Sequence, residues 1–374
     1  MEIIINKEAC ANNERQDMTV HRLSRAWSVG LGVPFAAALI AACGSTGGAV
    51  TSPTPPEATA GTDSPATTLT VVASIYPLQY ATEQVGQERV EVINLTPPGA
   101  DPHDYELTPQ QVALIGQADL VVYIPDLMPA LDKAIAQQAP ERALNVLTAI
   151  PDIREGHDHD DHGHDDHDDH GHDDHDDHGH DDHDDHGHDD HDDHGHDDHR
   201  HGGIDPHVWL NPLNMSIIGD EIAGALSELA PSASDGFADG AKNLSQNMDS
   251  LNDAWKAGTA RCDSRILVVP HEAFGYLADQ YDFEQIGIAG INPEAEPSPA
   301  KLAEVIRLVD EKSIQTIYFE RQASPKIAEI VAAETGAATS VLDPLEAPPV
   351  NASDTYISVM QQNLTNIKSG NGCQ

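Results

Sequence analysis

The sequence predicts an α/β protein of two Rossmann-like lobes with mostly parallel sheets, joined by a long helix. Three observations predict it. Eight short runs rich in β-branched residues alternate with helical segments, which is the pattern of a parallel sheet covered by its own crossover helices. The alternation runs twice, four strands each time. Between the two series lies a long helical stretch whose apolar positions (Phe237, Leu244, Met248, Leu251, Trp255) are sparse and mostly three, four or seven apart, as suits a connector. Of the 374 residues, a low-complexity N-terminus and an internal His/Asp tract set aside, roughly 260 remain, enough for two lobes each with a core.

The chain opens with a segment to be excluded from the fold. Arg22 and Arg25 precede an apolar run over residues 26–42 that ends in Leu39-Ile40-Ala41-Ala42-Cys43-Gly44. A basic stretch, a short apolar run and small residues before a cut are a secretory signal, too short and too rich in Gly and Ala for a membrane span. Ile40-Ala41-Ala42-Cys43 resembles the bacterial lipobox, so Cys43 is expected to be lipidated and to anchor the chain, after a signal over residues 1–43 that reads better from Met18 than from Met1. Residues 44–68, rich in Gly, Ser, Thr, Pro and Ala, read as a flexible tether.

The first lobe is expected over residues 69–231. Strands are predicted at 69–74, 90–95, 119–124 and 143–147, and helices at 77–85, 109–117 and 128–138. Pro109 suits a first helical turn, with Thr108 as its cap. The linking helix is placed at 232–258. The second lobe, 259–374, repeats the alternation with strands at 265–270, 283–288, 316–320 and 338–342 and ends in a helix over about 353–368.

The tract over residues 157–201 interrupts the first lobe. A Gly-His-Asp-Asp-His-Asp-Asp-His unit repeats through it, and no apolar side chain occurs, so it is expected to be a disordered loop. Imidazole suits Zn, Cu and Ni, and carboxylates add oxygen donors, so the composition is that of a metal trap. His157, His159, His162, His164, His167, His170, His172, His175 and His178 are candidate secondary ligands. Replication slippage in a tolerant loop is the plainer alternative, but a random polar linker would not pair His with Asp alone. The net charge of −44, about half of it from the tract, argues against nucleic acid or an anionic membrane surface as partner.

Of 22 histidines, the tract holds 18 and the leader one, His21. The remaining three each stand in a distinct motif: His103 in Asp101-Pro102-His103-Asp104-Tyr105-Glu106, His207 in Asp205-Pro206-His207-Val208-Trp209-Leu210, and His271 in Val269-Pro270-His271-Glu272-Ala273-Phe274. His103 and His271 follow strands, where ligands of open α/β sheets bind. Asp343, in Leu342-Asp343-Pro344-Leu345, also follows a strand and is the candidate fourth group, a turn or helix cap being the plainer alternative. Three His and one Asp would suit tetrahedral Zn²⁺.

These motifs resemble those of the zinc-type metal-binding proteins of bacterial ABC importers, the ZnuA-like, cluster A-I family. The resemblance covers nearly all of residues 69–374. It implies a rigid linking helix, a metal in the interlobe cleft, His103, His207 and His271 as ligands, capture of Zn²⁺ for an ABC permease, a monomer, and no enzymatic activity. Asp343 carries over from only some relatives, which keeps Glu106 or water as alternatives. Glu320, in a family-like Phe319-Glu320-Arg321-Gln322-Ala323-Ser324-Pro325 motif, is expected in the cleft or at a hinge. Asn211 replaces an Asp common in the family and should affect a turn only. An acidic His-rich loop before the second motif is similar to that of zinc-specific members and implies an auxiliary, low-affinity collector.

Cys262 and Cys373 are expected to form a disulfide, as an exported pair, a Cys–metal site being the alternative. The other functional readings are a zinc buffer or adhesin lipoprotein without a permease, a manganese-type protein, and a zinc hydrolase; the last lacks the second His of H-E-x-x-H after His271-Glu272. The expected location is outside the cytoplasm, lipid-anchored at the outer face of the cytoplasmic membrane or periplasmic. Deleting residues 158–199 should reduce the number of zinc ions bound and leave the tightest one unchanged; calorimetry on the deleted protein showing no tight site would make the tract the main binder.

Overall fold

The computed structural model describes residues 68–156 and 203–374, apart from positions 292, 294, 295, 322 and 323. The signal with Cys43, the tether up to residue 67, and the His/Asp tract lie outside the described residues.

The first series of elements is β1 (Leu69–Ala73), α1 (Tyr76–Gly86), β2 (Val90–Asn94), α2 (Pro109–Gln117), β3 (Leu120–Tyr123), α3 (Pro129–Gln138) and β4 (Ala143–Asn145). After the tract come α4 (Pro212–Leu229) and α5 (Ser234–Gly258). The second series is β5 (Ile266–Val269), α6 (Gly275–Tyr281), β6 (Glu284–Gly287), α7 (Pro299–Glu311), β7 (Thr316–Phe319), α8 (Lys326–Thr335), β8 (Ala338–Val341) and α9 (Tyr356–Gly370). The two sheets have the same topology, β2-β1-β3-β4 and β6-β5-β7-β8, and every pairing is parallel. Parallel strands need crossovers, and the crossovers cover both faces, so central strands read as continuous apolar runs. Val71, Val72 and Ala73 of β1, and Leu267, Val268 and Val269 of β5, are fully buried.

This order sends the chain to opposite sides of β1, and again of β5. Each sheet therefore has a switch point, β1/β3 and β5/β7, with a crevice beyond the strand ends. Thr108 caps α2 in a reciprocal capping box with Gln111, and Pro109 takes the first helical position. Ser298 and Thr355 cap α7 and α9 likewise through N3 backbone groups.

Helix α5 is the long connector, 25 residues and about 37 Å long at 1.5 Å per residue. Phe237, Ala241, Leu244, Met248, Leu251 and Trp255 form its single buried stripe. Its first half lies on α1 and α4 and its second half reaches α9 and Tyr281, against which Trp255 stacks at 5.0 Å. The approach to α1 is closest at Gly240, where a Cβ would lie 2.4 Å from the Val85 carbonyl oxygen. Across the lobes, Tyr356 donates to the Trp209 carbonyl at 2.6 Å and the Trp209 indole donates to the Pro344 carbonyl at 2.7 Å.

Cys262 and Cys373 form the expected disulfide, joining the segment after α5 to the end of α9 across 111 positions. The constraint on the unfolded chain is worth about 4–5 kcal/mol. The residues that flank the tract pair in an antiparallel bridge, Glu155 with Ile204, and Gly156 donates to the Gly203 carbonyl.

Gly240→Ala should destabilise the protein by about 1–3 kcal/mol, because its methyl meets backbone that cannot swing aside. Gly236→Ala, on the same helix with its nearest neighbour at 3.8 Å, should be neutral or stabilising by up to about 1 kcal/mol. Thermal unfolding of the two variants checks the pair; equal melting temperatures would show that α5 shifts freely on α1.

Candidate metal centre

Four side chains from distant parts of the chain converge. His103 follows β2, His207 precedes α4, His271 follows β5, and Glu346 follows β8. Their ligand atoms all lie within 4.8 Å of one another. His207 Nε2 and His271 Nε2 each stand 3.2 Å from Glu346 Oε1, and His103 Nε2 stands 3.6 Å from it. The imidazoles are 5.3–6.1 Å apart, centre to centre. His207 and His271 are wholly buried, and the side chains of His103 and Glu346 are 8% exposed. His103 Nε2 is buried without a hydrogen-bond partner among the described residues.

A carboxylate stands behind two of the rings. His207 Nδ1 lies 2.8 Å from Asp205 Oδ1, and His271 Nδ1 lies 2.6 Å from Glu320 Oε1. Such partners fix ring orientation and tautomer and turn Nε2 toward the shared point. Glu320 immediately follows β7, the neighbour of β5, so His271 and its orienting carboxylate emerge together at the second lobe's switch point. Glu320 thus takes a defined place in the cleft.

The sequence motifs fold by one local device. In Asp101-Pro102-His103 the aspartate accepts from the His103 backbone N–H at 2.8 Å. In Asp205-Pro206-His207 it accepts from His207 N–H at 3.0 Å. In Asp343-Pro344-Leu345 it accepts from Leu345 N–H at 2.9 Å. Each Asp-Pro pair closes a turn on itself, and in the first two the residue presented is the histidine. In the third, Leu345 takes a left-handed backbone (φ 62°) and Glu346 follows into the centre. Asp343, the residue expected from sequence, is outside the converging group: its second oxygen faces Arg321 at 3.9 Å. Glu106 is exposed and also outside it. No local signal marks Glu346: the third Asp-Pro turn resembles the other two, but its inward group comes three residues after the aspartate where theirs come two. Asn211 caps α4 by accepting from Leu213 N–H, a turn role as expected.

The electrostatics are those of a tightly paired cluster. Burial drives His271 down, but Glu320 and Glu346 together outweigh it and raise its pKa well above the ordinary value; burial likewise opposes, and Asp205 and Glu346 overcome, for a raised His207. Burial pushes Glu346 up, but His271 first and then the other two imidazoles bring it well below the ordinary carboxylate value. Burial raises Asp343, only partly offset by the Leu345 N–H and Arg321. Geometry agrees: His207 and His271 face carboxylate oxygens from both ring nitrogens, an arrangement that favours the protonated ring. A divalent cation at the shared point would replace those Nε2 protons. A cavity of about 500 Å³ opens beside the centre, with Asp101, Glu296, Glu320, Asp343 and Glu346 in its wall, a lining that draws cations.

Two parallel α/β lobes on a long helix, around a buried centre of three imidazoles and one carboxylate, define a metal-binding protein. The chain belongs to the ZnuA family, zinc-uptake complex component A, periplasmic, whose profile matches residues 71–370. It is 32% identical over 312 residues to the zinc-binding lipoprotein AdcA of Streptococcus pneumoniae strain R6, aligning 80% of this chain with 55% of that protein, so it spans about half that relative's length. It is 31% identical over 338 residues to the high-affinity zinc uptake system protein ZnuA of Bacillus subtilis, covering 88% of this chain and 93% of that one. The laminin-binding protein Lmb of Streptococcus agalactiae, described as bifunctional with adhesin and metal-transporting activity, superposes with a TM-score of 0.64 at 26% identity, over 81% of this chain and 99% of its own. The chain is a binding protein of this family and not an enzyme.

With metal removed by a chelator, the cluster should stabilise the fold most between about pH 4.5 and 6.5. The raised histidines contribute fully below their unfolded value of about 6.5 and lose that contribution as pH rises through their folded values; the depressed Glu346 contributes above its unfolded value and loses it as pH falls through its folded one. Urea unfolding across this range checks it: Glu346→Gln should flatten the profile, and a variant profile parallel to wild type would refute the pairing.

Proposed function

We propose that the protein captures Zn²⁺ outside the cytoplasm and delivers it to the permease of an ABC importer. The observation that carries this is the convergence of three imidazole Nε2 atoms and one carboxylate oxygen within 4.8 Å, buried between lobes. Tetrahedral N₃O coordination is a zinc preference, and three nitrogen donors disfavour manganese, which prefers oxygen. His103, His207, His271 and Glu346 are the proposed ligands, with Asp205 and Glu320 orienting two of the rings. The unpartnered His103 Nε2 fits a cation, which would supply its missing partner.

Delivery to a permease is supported by the family and by the name of the Bacillus relative, a zinc uptake protein. The name of the streptococcal relative, a lipoprotein, supports anchoring through Cys43 at the outer face of the membrane. No helix among the described residues is long and apolar enough to cross a membrane. We assign to the His/Asp tract, on its composition, the gathering of zinc at low affinity. The adhesin described for Lmb is the second reading.

His271→Ala and His103→Ala should each weaken the tightest zinc site by more than about a hundredfold, beyond the loss typical of changing a residue that only orients a ligand, and zinc binding at neutral pH should release protons from the paired imidazoles. Calorimetry in buffers of different ionisation enthalpy reads both. Loss of zinc uptake on gene deletion supports the transport role; unchanged uptake with intact tight binding favours a buffer or adhesin.

A further inference from the structure

Arg154 lies beyond β4, next to the bridge that closes the base of the tract, and reaches across to the second lobe. Its guanidinium pairs with Asp279 on α6 and stands, through Nε, 3.4 Å from Asp205 Oδ2. The other oxygen of Asp205 accepts from the backbone N–H of His207 at 3.0 Å and faces His207 Nδ1 at 2.8 Å. One oxygen of a nearly buried carboxylate is thus committed to the histidine, and the other faces the arginine Nε across an ion pair, that buried Nε making no hydrogen bond among the described residues. Backbone and hydroxyl groups hold the same pieces in register. Arg154 N–H donates to the Tyr276 hydroxyl at 2.9 Å, the Tyr276 hydroxyl donates to the Asp205 carbonyl at 3.1 Å, and Asp205 N–H donates to the Arg154 carbonyl at 3.0 Å. The pair fits beneath α6 because position 275 is glycine: a Cβ there would lie 2.5 Å from Arg154 Nε and 2.7 Å from Asp205 Oδ2.

We propose that Arg154 is a positioning residue for zinc retention, acting through Asp205 on His207 and tied to the second lobe by Asp279 and Tyr276. The proposal rests on the zinc-binding reading. An aspartate that orients a ligand histidine is only as well placed as its own second oxygen. A guanidinium anchored by Asp279 holds its positive charge against that oxygen at 3.4 Å, and so biases the direction of His207 Nε2. Because the guanidinium spans the two lobes, the same contact that aligns the ligand also holds the lobes against each other beside the centre. Bound zinc would then leave only when this alignment is lost.

The test uses the full chain loaded with one equivalent of Zn²⁺. Release to a chelator is followed by stopped flow, the His207 Nδ1–H resonance by proton NMR, and unfolding by thermal melts with metal removed. Arg154→Gln should release zinc about tenfold faster, the lower end of what is lost when a partner of a metal-binding side chain is changed, and should shift or broaden the Nδ1–H resonance. Arg154→Lys, which keeps the charge without the guanidinium, should recover part of the loss. A wild-type release rate and an unchanged His207 resonance in Arg154→Gln, whatever happens to its melting temperature, would make Arg154 a structural strap only and overturn the proposal. That outcome leaves tight zinc binding intact, whereas a wild-type protein without a tight zinc site would overturn the functional reading itself.

Discussion

Glu346 Oε1 stands within 3.6 Å of three imidazole nitrogens, and much of the fold exists to make that gathering tolerable. Removing charges from water costs several kcal/mol per ion unless each is paired and hydrogen-bonded. Here Glu346 meets the inner nitrogens of His207 and His271, and the outer nitrogens of the same two rings are met by further carboxylates. An excess of negative charge over what the rings can neutralise is the electrostatic signature of a place for a cation.

The two lobes supply the geometry by repetition. Each has the same strand order, and each offers loops at the carboxyl ends of its strands, so ligands from sequence positions far apart arrive at one crevice. Helix α5 sets the spacing of the lobes, and its seating is fixed by backbone contact at Gly240 and by the stack of Trp255 on Tyr281. Contacts such as Tyr356 to Trp209 and Arg154 to Asp279 close the distance from the other side.

Nearly all of the fold was legible in the sequence, because fully buried parallel strands carry unbroken apolar runs and their helices carry caps. The eight strands fall where the β-rich runs do, and Thr108-Pro109 begins its helix as expected. The three histidines were legible through their rarity outside the tract and their motifs. The fourth group was not. Asp343 follows a strand, as a ligand might, but its carboxylate is consumed by the turn it makes with Leu345, and the left-handed Leu345 that turns Glu346 inward leaves no mark in composition or periodicity. Glu320 was placed in the cleft by its motif, yet its contact with His271 depends on β5 and β7 being neighbours, a fact of topology that no local stretch of sequence contains.

The bridge between Glu155 and Ile204 fixes where the tract leaves the lobe and where it returns. With both ends pinned side by side, the lobe is indifferent to how much chain lies between them. Closing a longer loop costs little, about 0.6 kcal/mol for each doubling of its length. Whole eight-residue units can therefore be gained or lost by slippage without disturbing a single strand or ligand. The number of repeats becomes a dial that selection can turn in small steps, setting how many imidazoles each chain carries while the centre itself stays as it is.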